Sequence, residues 1–238
     1  MKLPVALLSL SLLAAPAIAA DAPSKPVRII LVGDSTMATK SGYGDALCAR
    51  FTPETACVNL ARGGRSSGSF RAEGRWDEVQ GLLRDGAGFR TTYVLIQFGH
   101  NDQPGKPGRS TDFATEFPAN MTRYVSEARA LGGTPVLVTP LTRRSFKTGY
   151  VHNDLAPWAG TVRSIAGTTH TPLVDLNALS LAAVQAMGPK EADKLARTGA
   201  NFDYTHVGPL GAERFAQIMA QELVRQVPAL APALRSAP

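Results

Sequence analysis

Five short runs of apolar, largely β-branched residues recur along the chain, and stretches with apolar residues at helical spacing lie between and after them. The runs are Val27–Val32, Thr55–Leu60, Thr92–Phe98, Pro135–Thr139 and Pro172–Leu176. Helices are expected over Gly44–Phe51, Trp76–Arg84, Asp112–Leu131, Leu155–Gly167, Asn177–Met187 and Pro209–Arg225. Strands apolar on both faces cannot lie at a surface, so they imply a parallel sheet with helices packed on each side. The pattern predicts a three-layer α/β fold, flavodoxin-like, with five parallel strands in the order 2-1-3-4-5. No repeat, low-complexity tract or linker divides it, and one domain is expected over residues 21–238. The closing segment "VPALAPALRSAP" reads as a frayed terminus.

Residues 1–20, "MKLPVALLSLSLLAAPAIAA", have another character. Lys2 precedes an apolar run too short to span a bilayer, and Ala17 and Ala19 are placed for signal-peptidase recognition. A cleaved signal peptide is expected, with a mature chain from Ala20 or Asp21 that is secreted or periplasmic and not held in a membrane. Its loss lowers the net charge from +6 to about +5. That mild basicity tolerates an acidic polymer but is too weak and too spread out for a nucleic-acid partner. Cys48 and Cys57 are the only cysteines, and in an oxidising compartment a disulfide is the expected state. The four histidines lack metal-ligand spacing and no phosphate-binding or dinucleotide fingerprint occurs, so no metal or cofactor is expected.

In an open α/β sheet, function sits beyond the carboxyl ends of the strands. There the chain leaves strand one at "GDST", strand two at "NLARGGRSSGSF" and strand three at "QFGHNDQPG". Ser35 in the first loop is a weak nucleophile unless a base takes its proton. His206 in "NFDYTHVGPLG" has Asp203 three residues before it, where a carboxylate can fix the imidazole tautomer. Alone, that spacing is common, and Asp203 and Thr205 could simply cap the last helix. Acyl transfer also needs donors for the developing oxyanion. The Ser35 N–H, the Gly64 N–H and the Asn101 side chain are candidates, although Gly64 and Asn101 are each also ordinary turn residues. Together, at the ends of successive strands, they supply every part that a serine nucleophile lacks.

"GDS", "ARGG", "GHND" and "DYTH" resemble, in order, the four blocks of the SGNH (GDSL-type) hydrolases over most of the mature chain. Within that superfamily the chain is most similar to the rhamnogalacturonan acetylesterases. The marks are Thr36 after the serine, "GGRSSGSF", "QFGHND", "VTPLTRRSF" and "DYTHVGPLGAERFA". The resemblance implies the SGNH fold, with Ser35 as nucleophile, His206 as base then acid, and Asp203 as its orienter. It implies an oxyanion hole of Ser35, Gly64 and Asn101, and acetylated pectic polysaccharide or oligosaccharide as the substrate; a monomer is expected. Arg65 is a candidate donor to a galacturonate carboxylate, unless it forms an ordinary ion pair. His152 is a candidate for the substrate groove, His100 for a brace of its loop, and Trp158 for the core. Two other readings stand beside this one: a broader esterase, lipase or thioesterase of the superfamily, and a glycan-binding protein without turnover on the same fold.

Overall fold

Strand β1 (Val27–Gly33) is buried at every position, as a strand covered on both faces must be. The computed structural model describes residues 25–199 and 201–235; the expected leader lies outside them. After helix α1 (Gly44–Cys48), β2 (Ala56–Asn59) pairs with one edge of β1. Helices α2 (Ser67–Ala72) and α3 (Arg75–Arg84) lead to β3 (Thr91–Gln97), which pairs with the other edge. Helix α4 (Glu116–Ala130) is followed by β4 (Thr134–Val138), then by a small hairpin of β5 (Phe146–Lys147) and β6 (Tyr150–Val151). Helix α5 (Ala156–Thr168) returns to β7 (Leu173–Val174), and α6 (Leu176–Asp193) and α7 (Pro209–Gln226) follow. The main sheet runs β2-β1-β3-β4-β7, all parallel, which is the order expected from the sequence.

Alternate residues of β1 feed two apolar layers. Ile29 and Leu31 pack with Leu47, Phe215, Met219 and Leu223 of α1 and α7, on the face that also receives Val184 of α6. Ile30 and Val32 join Phe70, Val79, Met121 and Val162 of α2 to α5 on the opposite face. Each such side chain stabilises the fold by about 1.5–3 kcal/mol when fully buried. The register pairs Leu31 with Asn59 and Gly33 with Gln97, so the first three strands end side by side and their loops open at one edge.

Four features differ from the expectation. The sequence places α2 within a loop, because its capping box uses Ser66 and Ser69 in place of the Ser-to-Glu pattern. The β5–β6 hairpin turns on Thr148 and Gly149, both at positive φ, and is only two residues deep. Helix α6 continues past Met187 to Asp193 across a break at Gly188, where Pro189 starts a second segment. Within the described residues the closing segment is not frayed: Pro228–Ala233 form a 3₁₀ turn with Leu230 and Ala233 buried. The Ala233 carbonyl accepts the Thr52 N–H at 2.8 Å, and the Arg235 N–H donates to the Arg50 carbonyl at 2.9 Å. Leu230 at i and Ala233 at i+3 share one side of a three-residue turn, so the Pro/Ala-rich composition concealed an apolar edge. Leu230→Ala is expected to lower unfolding stability by about 2–4 kcal/mol in a urea titration, whereas a loose tail would give no change.

Cys48 and Cys57 are joined in a disulfide that ties the end of α1 to β2. In the chain-entropy account a loop this short contributes about 2–3 kcal/mol.

Candidate active site

The turn after β1 is built from its buried polar residues. A Cβ at Gly33 would come 2.8 Å from the Gln97 carbonyl, so close pairing with β3 at this point requires glycine. Asp34 Oδ1 accepts the N–H and the hydroxyl of Thr36, both at 2.8 Å. Thr36 Oγ1 accepts from Gln97 Nε2 at 2.7 Å, and Gln97 Oε1 accepts the Tyr43 hydroxyl at 2.6 Å. Asp34 and Thr36 therefore provide the turn chemistry and lock it to β3. Ser35 is left with its hydroxyl turned elsewhere.

That hydroxyl meets His206. Ser35 Oγ lies 2.8 Å from His206 Nε2, and His206 Nδ1 lies 2.8 Å from Asp203 Oδ2. Asp203 Oδ1 also accepts the main-chain N–H groups of Thr205 and His206, each at 2.9 Å, and Arg197 Nε donates to Oδ2 at 2.7 Å. Burial pushes the Asp203 carboxyl up, but the His206 N–H and ring and the Thr205 N–H outweigh it and hold it well below the usual carboxylate range. The lowered value means that the ionised form favours the folded loop. That contribution is complete above the range of a free aspartate and is lost as pH falls through the folded value.

The main-chain N–H groups of Ser35 and Gly64 donate to no other group among the described residues. Gly64 has φ +78°, and neighbouring Gly63 stands against the nucleophile: a Cβ there would lie 3.8 Å from Ser35 Cβ. Asn101 is buried and donates from Nδ2 to the Arg65 carbonyl at 3.1 Å, which leaves its second amide hydrogen for another acceptor. Two unpaired N–H groups and one half-used amide thus come from the three loops at the edge where β1, β2 and β3 end.

His100 is buried with Nδ1 3.3 Å from Asp34 Oδ2, and Lys106 Nζ donates to the His100 carbonyl, so it braces its loop. Burial holds its imidazole below the ordinary value. Arg65 donates from Nε to both oxygens of Glu73, at 2.9 and 3.2 Å, and from Nη1 to the Gly63 carbonyl at 2.8 Å. It holds the glycine turn and pairs with Glu73, while its Nη2 makes no hydrogen bond among the described residues. His152 follows β6, exposed, with its N–H on the Ser145 carbonyl at 2.7 Å; its ring has no hydrogen bond among the described residues. Trp158 is buried in the layer with Val162 and Ile165. Among the described residues no cluster of His, Cys, Asp and Glu could hold a metal ion, and no helix is long and apolar enough to cross a membrane.

The model of the GDSL-like lipase/acylhydrolase family matches residues 31–214, a span that contains all of these loops. The chain belongs to that family. This GDSL-like hydrolase is 31% identical over 215 residues to the rhamnogalacturonan acetylesterase RhgT of Bacillus subtilis, covering 83% of this chain and 89% of the relative. The crystal structure of YxiM, also from Bacillus subtilis, superposes with a TM-score of 0.72 at 28% identity; the match covers 89% of this chain and 59% of YxiM. The acetylxylan esterase Axe2 of Geobacillus stearothermophilus matches with a TM-score of 0.62 at 20% identity, covering 88% and 97% of the two chains, and shares the fold. The likeness read from the four sequence blocks is therefore shown, and the hydrolase is an esterase acting on carboxylic esters.

Sequence reasoning missed the parts of the GDSL-like hydrolase that hold these loops still. Arg144 is buried, and its Nη2 donates to the carbonyls of Asp203 at 2.6 Å and His206 at 2.7 Å. Burial brings its guanidinium down to about 10. Arg143 joins Thr205, Asp154 and Gln103 through its three nitrogens. Asp102 accepts the N–H and hydroxyl of Ser67, at 3.0 and 2.6 Å, and the Thr111 hydroxyl at 2.9 Å, tying the start of α2 to the Asn101 loop. Burial pushes its carboxyl up to about 6 despite these donors. "TRRSF" and "GHND" marked these positions without indicating which way each side chain turns.

Proposed function

We propose that the chain is a secreted carbohydrate esterase that removes O-acetyl groups from pectin, specifically rhamnogalacturonan, through a Ser35–His206–Asp203 acyl-enzyme. The observation that carries the chemistry is the hydrogen-bonded line Ser35–His206–Asp203 beside two unpaired main-chain N–H groups. The choice of substrate is supported by the similarity to RhgT over most of both chains. Ser35 Oγ attacks the acetyl carbonyl while His206 Nε2 takes its proton. The negative charge that develops on the carbonyl oxygen is met by the N–H groups of Ser35 and Gly64 and by the Asn101 amide. His206 then protonates the departing sugar hydroxyl, and water, activated by the same imidazole, releases acetate from Ser35. Asp203 stays ionised throughout, and its low carboxyl pKa suits a group that stabilises the imidazolium without taking its proton. The loops that meet here are dominated by Arg, Ser, Gly, Asn and Asp, which suits a small acyl group on a polar alcohol better than a lipid chain.

Asn101→Ala is expected to lower kcat about 10²–10³-fold on an acetyl ester with a smaller change in KM, because the lost donor acts on charge that exists only in the transition state. Equal kcat in variant and wild type would remove Asn101 from the oxyanion site. Acetate release from acetylated rhamnogalacturonan, homogalacturonan and xylan, alongside p-nitrophenyl esters of increasing chain length, tests the substrate. Rhamnogalacturonan and the acetyl ester should be preferred; a preference for long chains would make the chain a lipase-like member of the family.

A further inference from the structure

A cleft of about 640 Å³ lies between α2, the loop 108–111 and the start of α4, with Gly68, Ala72, Glu73, Arg109, Thr111 and Asn120 among its lining residues. The reaction scheme above makes no use of it, yet one of its lining residues, Arg109, lies against the glycine pair. A Cβ added to Gly64 would lie 3.4 Å from Arg109 Nη1, so this guanidinium sits directly over the glycine assigned to the oxyanion. Arg109 is exposed and its side chain makes no hydrogen bond or ion pair among the described residues. Arg62, next to the glycine pair in the chain, is also exposed, and its side chain is likewise without a partner among them.

The carboxylates of the same wall are engaged. Glu73 is shared by Arg65 and Arg75, and Glu116 Oε2 accepts the Asp112 N–H at 2.7 Å. Arg109 thus stands beside Gly64 as a guanidinium with no carboxylate partner among the described residues. A free guanidinium fork is matched by a carboxylate, which can accept two parallel N–H bonds. Arg65, the arginine that the sequence suggested for that task, is already paired with Glu73, whose two oxygens share its Nε–H.

We propose that Arg109 is a specificity-determining residue that binds a uronate carboxylate of the acetylated chain, with that carboxylate entering the cleft between α2 and α4. This rests on the pectic reading above and adds which residue recognises the acid. The experiment compares wild type, Arg109→Ala and Arg109→Lys on acetylated rhamnogalacturonan oligomers, the same oligomers with carboxyls reduced to alcohols, and p-nitrophenyl acetate, at low and high salt. In Arg109→Ala the ratio of kcat/KM on acidic oligomers to that on reduced ones should fall about 10-fold, mainly through KM, with Lys between the two. The wild-type ratio should also fall as salt rises, and the Ala ratio should hardly respond. Equal losses on acidic and neutral substrates would assign Arg109 to the oxyanion or the fold and overturn this proposal alone. An unaltered ratio would overturn it as well. A wild type that cleaves p-nitrophenyl acetate but releases no acetate from the acidic oligomers overturns the pectic reading together with this one.

Discussion

Ser35→Ala is expected to lower kcat for ester hydrolysis about a millionfold, the order found when the nucleophile of a serine triad is removed. In this molecule the hydroxyl has one partner, His206 Nε2, so its removal takes away the bond-forming atom and disturbs little else. The turn that presents it is held by Asp34, Thr36, Gln97 and Tyr43, none of which depends on the serine side chain. The melting temperature should therefore stay within a few degrees of wild type, and binding of acetylated oligomers should survive. Acetate release and thermal unfolding, measured on one preparation, separate lost chemistry from lost structure. Turnover near the wild-type rate would show that another group attacks the ester. Absent hydrolysis by the wild type itself, with binding retained, would instead describe a glycan-binding protein.

Asp203→Asn should cost about 10⁴-fold in kcat, for a reason that geometry makes specific. The carboxylate faces His206 Nδ1 at 2.8 Å and can only accept, so it fixes the proton on Nδ1 and leaves Nε2 free to take the Ser35 proton. An asparagine that turns its amide toward the ring would donate instead. The imidazole would then carry its proton on Nε2, pointing at the nucleophile as a donor. The loop should keep its shape, because Arg144 holds the Asp203 and His206 carbonyls and the asparagine oxygen can still accept the two main-chain N–H groups. The expected result is a large fall in kcat with little change in KM or melting temperature. A parallel loss of secondary structure would show that the carboxylate is needed to form the loop and would leave the tautomer account without support.

The sheet order was legible in the sequence because the strands of the main sheet are largely apolar on both faces and the longer helices between them have an apolar period. Strand β1 and helix α7 needed nothing more. The tail misled because Pro and Ala suggest fraying, while the burial of Leu230 is decided by a surface formed by α1 and α7. At the site, Ser35, Asp203 and His206 could be found from residue type and spacing. Arg144 could not, since nothing local distinguishes a buried arginine donating to two carbonyls from its neighbour Arg143, which bridges side chains. Arg65 and Arg109 show the same limit. The sequence places Arg65 beside the glycine pair, but only the fold brings Glu73 to it and Arg109 over Gly64.

The central claim is that acyl transfer passes through Ser35. Mixing the enzyme with p-nitrophenyl acetate, quenching in acid during the burst of p-nitrophenol and sequencing the peptides by mass spectrometry tests it most directly. One acetyl group is predicted on the Ser35 hydroxyl, absent from Ser35→Ala and accumulating when water attack is slowed. An acetyl group on any other residue, or an unmodified Ser35 peptide alongside a full burst, would contradict the account.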